Sequence, residues 1–367
     1  MNPAAGMGGV QCVAATDRFT GETALEDFER EYATWCEVPH AVGVSSGTEA
    51  LVLALRAINI GPGDEVVLPA NASITTAEAV SLVGAMPRFA DVDPETHLMT
   101  AATMEAAITR AVHCVIPVHL HGRTAEMSPI VELAAERGLR VIEDAAQAHG
   151  ARYQGKRVGT FGDVGTFSFC GANDVGAWGE GGVVVAFDSK IADRVRLLRS
   201  RGAGRHRHPA SGAATGRLDA IQAAILRHKL RHLEGWNDIR RQAAEALRFA
   251  LLESDLGLPV APGKGCDHVY HQFVVRTPER DALKDFLAQE GIVTGIHYPI
   301  PIHRSRAYRA VAGERDVAPV ASRLANEILS LPMFPGLVAE QIQRIGDVVL
   351  RFAPHARVSH LCRGRVL

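Results

Sequence analysis

Apolar runs and segments with apolar residues at helical spacing alternate along roughly the first 200 residues. The runs "HAVGVSS", "DEVVLPA", "PRFADVD", "AVHCVIPVHLHG" and "LRVIEDAA" predict strands, and "GTEALVLALRAI" and "TTAEAVSLVG" predict helices between them. Nearly continuous apolar strands separated by helices are typical of a parallel sheet that is buried on both faces. Ligands bind such sheets at the carboxyl ends of the strands.

Two further predicted strands, "GDVGTFSF" and "GGVVVAF", flank the segment "CGANDVGAWGE". A long helical stretch follows, with a predicted break near Gly235. The pattern then changes, and "HVYHQFVVR" and "VTGIHYP" predict strands while "RDALKDFLAQEG" and "AEQIQRIGDVVLRFAP" predict helices. The predicted fold is therefore α/β, with a large domain over residues 1–245 around a mostly parallel sheet and a smaller C-terminal α+β domain over residues 246–367.

Composition places the chain among ordinary globular proteins. Of its 367 residues 47% are hydrophobic and 22% are charged, and the formal net charge is −2. This balance gives no reason to expect a nucleic-acid partner or a membrane partner. The absence of a signal-peptide pattern and of a long apolar run favours a cytoplasmic location. The six cysteines are scattered without a C-x-x-C pair, so we predict neither a disulfide framework nor a metal site.

Two stretches carry candidate chemistry. "SSGTEAL" places Ser46, Gly47 and Thr48 where a strand meets a helix, and free N–H groups at a helix N-terminus favour an anion such as phosphate. The same pattern also fits Ser46 as a simple N-cap. "VIEDAAQAHGA" places Asp144 at the end of a buried strand, where a carboxylate needs a cation, such as a protonated pyridine nitrogen, or else caps the next loop.

These blocks, taken in order, resemble the DegT-type sugar aminotransferase family, which has the fold-type-I architecture of pyridoxal phosphate (PLP) enzymes. The resemblance extends over nearly the whole chain, and "HVYHQFVVR" and "GIHYPIPIH" are similar to members that act on nucleotide-linked keto sugars. It runs through "HAVGVSSGTEALVLALRA", "PGDEVVLPANASI", "PVHLHG", "EDAAQAHGARYQGKRVGTFGDVGTFSF", "GEGG", "RLDAIQAAIL" and "LPMFPGL".

The resemblance implies a role for each matching position. Gly47, Thr48 and Ser168 would bind the cofactor phosphate, Asp144 would pair with the pyridine nitrogen, and Gln147 would lie near the ring hydroxyl.

His297 would lie near the substrate. Thr215 and Arg217 lie in the stretch that family members contribute to the neighbouring subunit, which implies a homodimer with shared active sites.

Three positions depart from the family pattern at the cofactor. Asn173 replaces the lysine that forms the Schiff base with PLP, Ser73 replaces an aromatic side chain that covers the ring, and Thr215 replaces an asparagine that reaches the phosphate. The lysine tethers PLP and moves a proton between substrate and cofactor, and an asparagine amide does neither. The five lysines of the chain are Lys156, Lys190, Lys229, Lys264 and Lys284, and none is an evident substitute.

The other two departures weaken binding as well. The lost aromatic stack and the lost phosphate hydrogen bond together cost about 2–4.5 kcal/mol, on the order of 30- to 2000-fold in affinity. We therefore expect PLP or its amine form, pyridoxamine phosphate (PMP), as a weak non-covalent ligand or not at all.

Three functions follow from these departures. The favoured one is an enzyme of small-molecule biosynthesis that performs chemistry other than transamination. Its sugar-like or phosphorylated substrate would bind in the cleft that holds cofactor and substrate in the family. Histidines are its candidate acids and bases, with His149 and His297 foremost. The full set is His119, His121, His149, His271 and His297.

The alternatives keep the coenzyme or abandon catalysis. One is an untethered PLP- or PMP-dependent aminotransferase or dehydratase on a nucleotide-linked keto sugar, as in sibling dehydratases that have histidine at the lysine position. The other is a non-catalytic partner subunit of an active relative. Fold alone does not separate these functions.

Overall fold

The central feature of the large domain is a seven-stranded sheet. The structure is a computed structural model and describes residues 22–171, 173–200, 216–313 and 316–361. The strands of the sheet are β1 (His40–Val44), β2 (Glu65–Pro69), β3 (Met86–Ala90), β4 (Val112–Val115), β5 (Arg140–Asp144), β8 (Val164–Ser168) and β9 (Gly182–Ala186). A separate short hairpin consists of β6 (Arg152–Tyr153) and β7 (Lys156–Arg157).

The strand order is β1-β9-β8-β5-β4-β2-β3. β9 runs antiparallel to both of its neighbours, and the other six strands are parallel to one another. The prediction of a mostly parallel sheet is therefore confirmed. Because six strands point the same way, the loops that follow them meet at one edge of the sheet.

Helices cover both faces of this sheet and continue into the C-terminal part. The helix Gly47–Ala57, labelled α2, is buried along almost its whole length because it packs on β8 and β9 and against neighbouring helices. The helices are α1 (Glu22–Cys36), α2 (Gly47–Ala57), α3 (Ile74–Leu82), α4 (Ala101–Ala107), α5 (Met127–Arg137), α6 (Ser189–Arg199), α7 (Ala220–Leu230), α8 (Leu233–Ala250), α9 (Arg280–Gln289), α10 (Arg309–Ala312), α11 (Pro319–Glu327) and α12 (Ala339–Leu361).

A second, smaller core lies in the C-terminal part. Strands β10 (Phe273–Arg276) and β11 (Ile328–Leu331) pair antiparallel there. Their apolar side chains pack with the second half of α8, with α9 and with α12. Within the described residues, no helix combines the length and the apolar character that crossing a lipid bilayer requires.

Several predicted boundaries differ from the structure. The long helical stretch divides at residues 231–232, between α7 and α8, and Gly235 lies inside α8. "VTGIHYP" forms no strand, because only Gly295 makes a bridge to β11. The predicted domain boundary after residue 245 falls within α8, which contributes side chains to the small core. Ile302 and Tyr308 pack into the core of the large domain, so the described part of segment 246–367 also contributes side chains to that core.

Two glycines test the packing of this fold. A Cβ on Gly165 in β8 would lie 2.2 Å from the backbone oxygen of Gly159. We expect Gly165→Ala to lower the free energy of unfolding by at least about 1–3 kcal/mol, because neither backbone can yield. The matched control is Gly235→Ala, where a Cβ meets nothing within 4 Å and the higher helix propensity of alanine should stabilise α8 by up to about 1 kcal/mol. Urea unfolding of both variants measures the difference, and equal stability would refute the packing argument.

Candidate active site

A cavity of about 490 Å³ lies at the edge of the sheet where the parallel strands end. Its walls come from the loops after β1, β2, β4, β5 and β8, and from the segment around Tyr298. The lining residues are Ser46, Gly47, Thr48, Leu51, Ser73, Thr75, Val118, Leu120, Asp144, Ala146, Gln147, Thr166, Phe167, Ser168, Cys170, Asn173, Glu180 and Tyr298. This volume suits a small-molecule ligand.

One corner of the cavity is formed by the N-terminus of α2 against the end of β8. Ser46 caps the helix by accepting a hydrogen bond from the Glu49 N–H at 3.1 Å, so the N-cap prediction for Ser46 is confirmed. A Cβ on Gly47 would lie 2.5 Å from Ser168 Cβ, so only glycine permits this approach. Backbone N–H groups and the helix dipole at such a corner favour an anion, and the Ser168 hydroxyl lies beside them.

Asp144 lies at the end of β5 and is almost completely buried. It accepts hydrogen bonds from the Thr76 hydroxyl at 3.0 Å and from the Ala146 N–H at 3.2 Å. Burial raises the pKa of the Asp144 carboxyl, against these two hydrogen bonds, which lower it. Among the described residues no cationic side chain forms an ion pair with Asp144, so a protonated ring nitrogen would supply the missing partner.

Gln147 and Tyr298 form another wall. Gln147 accepts a hydrogen bond from the His121 N–H at 2.7 Å and donates to the Tyr298 hydroxyl at 3.2 Å. Burial raises the pKa of the Tyr298 phenol, so this group keeps its proton. Ser73 faces the same cavity and caps α3 by accepting from the Thr75 N–H.

Position 173 is the place where the resemblance implies a lysine. Asn173 lines the cavity, and none of the five lysines does. Its side-chain amide Nδ2 donates to the Ser168 carbonyl oxygen at 2.8 Å. Lys229 lies closer to this loop than the sequence indicates, because its Nζ donates to the carbonyl oxygen of Gly176, but it does not reach the cavity lining.

The next residue anchors the same loop. Asp174 is buried and forms ion pairs with Arg240 at 2.9 Å and with His271 at 2.8 Å. Burial acts to raise the pKa of the Asp174 carboxyl, but the charges of His271 and Arg240 outweigh it and lower that pKa. His271 is thereby engaged in holding the loop.

His149, predicted as a candidate acid or base, does not line the cavity. Its ring is fully buried against Phe167 and Phe169. Its Nε2 lies 2.9 Å from the Ser168 carbonyl oxygen and its Nδ1 lies 3.2 Å from the Tyr32 hydroxyl. Because a carbonyl only accepts, Nε2 carries the proton and Nδ1 accepts from Tyr32. Burial lowers the pKa of His149 to about 4.

The other predicted histidines also lie outside the lining. No described residue of the lining is a histidine. His119 is buried and bonds Glu143 at 3.1 Å, and His121 bonds Gln272 at 2.7 Å. His297 turns towards Ser330, 2.9 Å from its hydroxyl, while the adjacent Tyr298 enters the cavity.

The structure thus brings together most of the residues predicted to bind the cofactor. The cavity contains Gly47, Thr48, Ser73, Asp144, Gln147, Ser168 and Asn173. Arg217 bridges Val44 through its backbone and is exposed outside this cavity, and Thr215 lies outside the described residues.

Sequence reasoning missed three lining side chains with chemistry. Tyr298 stood beside the singled-out His297 in "GIHYP", and Cys170 and Glu180 lie in the segment that frames position 173. The only signal for them was membership of these blocks, because neither periodicity nor spacing distinguishes them.

The residues present fit a phosphopyridine that is held without a covalent bond. The corner at Gly47 and Ser168 would take the phosphate, and the buried Asp144 would take the ring nitrogen. A covalent attachment does not fit, because no ε-amine reaches the lining.

Comparison with known proteins agrees with this geometry. The model of the DegT/DnrJ/EryC1/StrS aminotransferase family matches residues 6–350. A UDP-N-acetyl-3-dehydro-α-D-glucosamine 3-aminotransferase from Acidithiobacillus ferrooxidans is 49% identical, over 88% of this chain and 87% of that protein. A dTDP-3-amino-3,4,6-trideoxy-α-D-glucose transaminase from Streptomyces venezuelae is 43% identical, over 90% of this chain and 87% of that protein.

The solved structures agree with the sequence matches. A crystal structure of S. venezuelae DesV in complex with a ketimine intermediate has a TM-score of 0.88 and 41% identity, and covers 94% of this chain and 93% of that one. The predicted fold-type-I architecture is thereby confirmed.

The buried histidines predict how stability depends on pH. Burial lowers the pKa of His97 and His149 to about 4, below the ordinary value of 6.5. Between these values the unfolded chain binds more protons, so lowering the pH from about 6.5 to about 4 should reduce the free energy of unfolding, by up to about 3 kcal/mol per histidine. His149→Gln should flatten part of this slope in urea titrations, whereas His228→Gln on the exposed surface of α7 should not. An unchanged slope in His149→Gln would contradict the assignment.

Proposed function

This chain belongs to the DegT/DnrJ/EryC1/StrS aminotransferase family, and from that premise we propose that it serves sugar biosynthesis without a covalently tethered coenzyme. It binds a small sugar substrate in the family cleft and does not carry out ordinary transamination. One observation carries the proposal: the cavity is lined by Asn173 and by none of the five lysines.

The remaining chemistry of the lining supports this proposal. Its titratable groups among the described residues are two carboxylates, one thiol and one phenol, namely Asp144, Glu180, Cys170 and Tyr298. A transaminase cycle needs an amine that bonds the coenzyme and then moves a proton at the substrate carbon. An amide at position 173 supplies neither, since it is not nucleophilic and does not titrate near neutral pH.

The proposed substrate is a nucleotide-linked sugar or a related specialised-metabolite sugar. The two relatives described above act, by their names, on UDP-linked and dTDP-linked amino or keto sugars. Tyr298 and Gln147 present a hydroxyl and an amide that can bond sugar hydroxyls, and the corner at Gly47 suits an anionic group.

A second candidate function keeps an untethered coenzyme and acts on a nucleotide-linked keto sugar. It is favoured by Asp144, a buried carboxylate whose raised pKa and lack of an ion-pair partner among the described residues suit a ring nitrogen that carries a proton. When bound, PLP or PMP supplies an electron sink for carbanions next to the reacting nitrogen. The chain would hold it with Asp144, Ser168 and the N-terminus of α2.

The absence of a tether is tested by chemical trapping. After incubation with PLP and borohydride reduction, intact-mass spectrometry should find no stoichiometric addition to the wild-type chain at the active site. Asn173→Lys should gain one addition on the new lysine, because Asp144 and the phosphate corner remain, and Asn173→Gln is the matched control that should gain none. Peptide mapping that finds PLP on a native lysine in the cavity, together with rapid amino-group exchange on keto-sugar nucleotides, would refute the proposal.

We further propose a homodimer whose subunits complete each other's sites. Trp178 and Ile221 are 78% and 72% exposed. Their two segments are adjacent, because the side chain of Gln222, the residue after Ile221, bonds the Trp178 backbone. Trp178 lies two residues from Glu180 of the cavity lining. Two large apolar side chains exposed beside a ligand cavity support an interface there.

Ile221→Glu should therefore shift the chain from dimer to monomer in sedimentation analysis, because a charge would be buried in the interface. Phe249→Glu is the matched control: Phe249 is 79% exposed on α8, away from the cavity, and its variant should remain dimeric. A monomeric wild type would contradict the homodimer, and a wild type that pairs only with an active relative would favour the non-catalytic partner subunit.

A further inference from the structure

Resting on the proposed absence of a covalent tether, we propose that Asn173 makes the cavity selective for the amine form of the coenzyme. PMP and PLP share the phosphate and the ring nitrogen and differ only in one substituent, a primary amine in PMP and an aldehyde in PLP. Contacts with Asp144 and with the phosphate corner are therefore common to both forms. Selectivity depends on the residues that face the one substituent that differs.

The resemblance to the family implies that position 173 faces this substituent. In the family pattern a lysine at this position bonds the carbon that bears the aldehyde, so a side chain that replaces it would face the same carbon. Asn173 lines the cavity in the structure, as that relation requires.

The orientation of the Asn173 amide follows from its hydrogen bond. The Ser168 carbonyl oxygen lies 2.8 Å from one amide atom and also accepts from His149 Nε2 at 2.9 Å. A carbonyl oxygen accepts and never donates, so the amide atom beside it is Nδ2 and the amide cannot be flipped. Oδ1 is then the end of the amide that this bond does not engage, and among the described residues no side-chain or backbone donor is paired with it. We infer that Oδ1 is the atom that Asn173, as a lining residue, offers to a ligand.

An acceptor at this point distinguishes the two forms. A protonated primary amine carries three N–H donors, whereas an aldehyde oxygen only accepts and would meet Oδ1 without a donor between them. The charge of the lining acts in the same direction. Besides Asp144, which serves both forms, the cavity is lined by Glu180, and the described lining residues include no lysine, arginine or histidine. The Glu180 carboxylate therefore favours an ammonium group over an aldehyde, and no cationic side chain of the described lining offsets it.

Calorimetric titration of the coenzyme-free protein with PMP and with PLP tests the proposal. A charge-assisted hydrogen bond predicts that PMP binds at least about ten-fold more tightly than PLP. Asn173→Leu removes the acceptor at similar volume and should lower the affinity for PMP by about ten-fold more than the affinity for PLP, so that the two forms bind about equally. Asn173→Asp should widen the difference, because a carboxylate attracts the ammonium more strongly.

The variants also separate selectivity from a structural role, because Asn173 holds Ser168 as well. If Asn173 only stabilised the loop, Asn173→Leu would weaken PMP and PLP equally, which would overturn the proposal. Equal affinities in the wild type, or no measurable binding of PMP, would overturn it too.

Borohydride trapping in the same samples distinguishes a failure of the selectivity proposal from a failure of the proposed function. PLP fixed on a native cavity lysine means that the untethered site itself is wrong. Equal binding without fixation means that only the selectivity is wrong.

Discussion

The cavity depends on one close approach, that of the first residue of α2 to the last residue of β8. The space at Gly47 is too small for a Cβ, which would lie 2.5 Å from Ser168 Cβ. A similar constraint operates at Gly182 in β9, where a Cβ would lie 2.3 Å from the Ser46 carbonyl oxygen. These glycines let a helix N-terminus meet the ends of parallel strands, and the anion-binding character of the corner follows from that contact.

The loop after β8 shows how the site keeps its shape without a lysine. Asn173 bonds back to Ser168, Asp174 pairs with Arg240 and His271, and Lys229 bonds Gly176. The loop is thus held by side chains that do not need the coenzyme. On the proposal made above, the asparagine changes the chemistry of the cavity: the lining has no nucleophilic amine and no lysine charge, but it contains groups that suit a phosphate and a ring nitrogen.

Sequence reasoning located the sheet and most of the cavity but misplaced the histidines. The strands were recognisable because they are short apolar runs between helices, and β1, β2, β5, β8 and β9 follow that pattern closely. "VTGIHYP" predicts a strand on the same kind of pattern and does not form one, because only Gly295 pairs with β11, and a single bridge lacks the repeated hydrogen bonds of a strand. His149 lies two positions after Gln147, a residue of the cavity lining. Its ring nevertheless packs against Phe167, outside the lining, and bonds the Ser168 carbonyl oxygen.

The sequence by itself determined the family, the parallel sheet, the position of Asp144 at a strand end and the asparagine at position 173. These features are local, since they depend on periodicity, on residue identity and on the order of blocks along the chain. Only the tertiary structure decided which side chains face the cavity, that Tyr298 enters it while His297 turns away, and which end of the Asn173 amide remains available to a ligand. The physical reason is that facing and hydrogen-bond pairing depend on residues distant in sequence, such as His149 beside Ser168 and Ser330 beside His297, whose proximity no local pattern records.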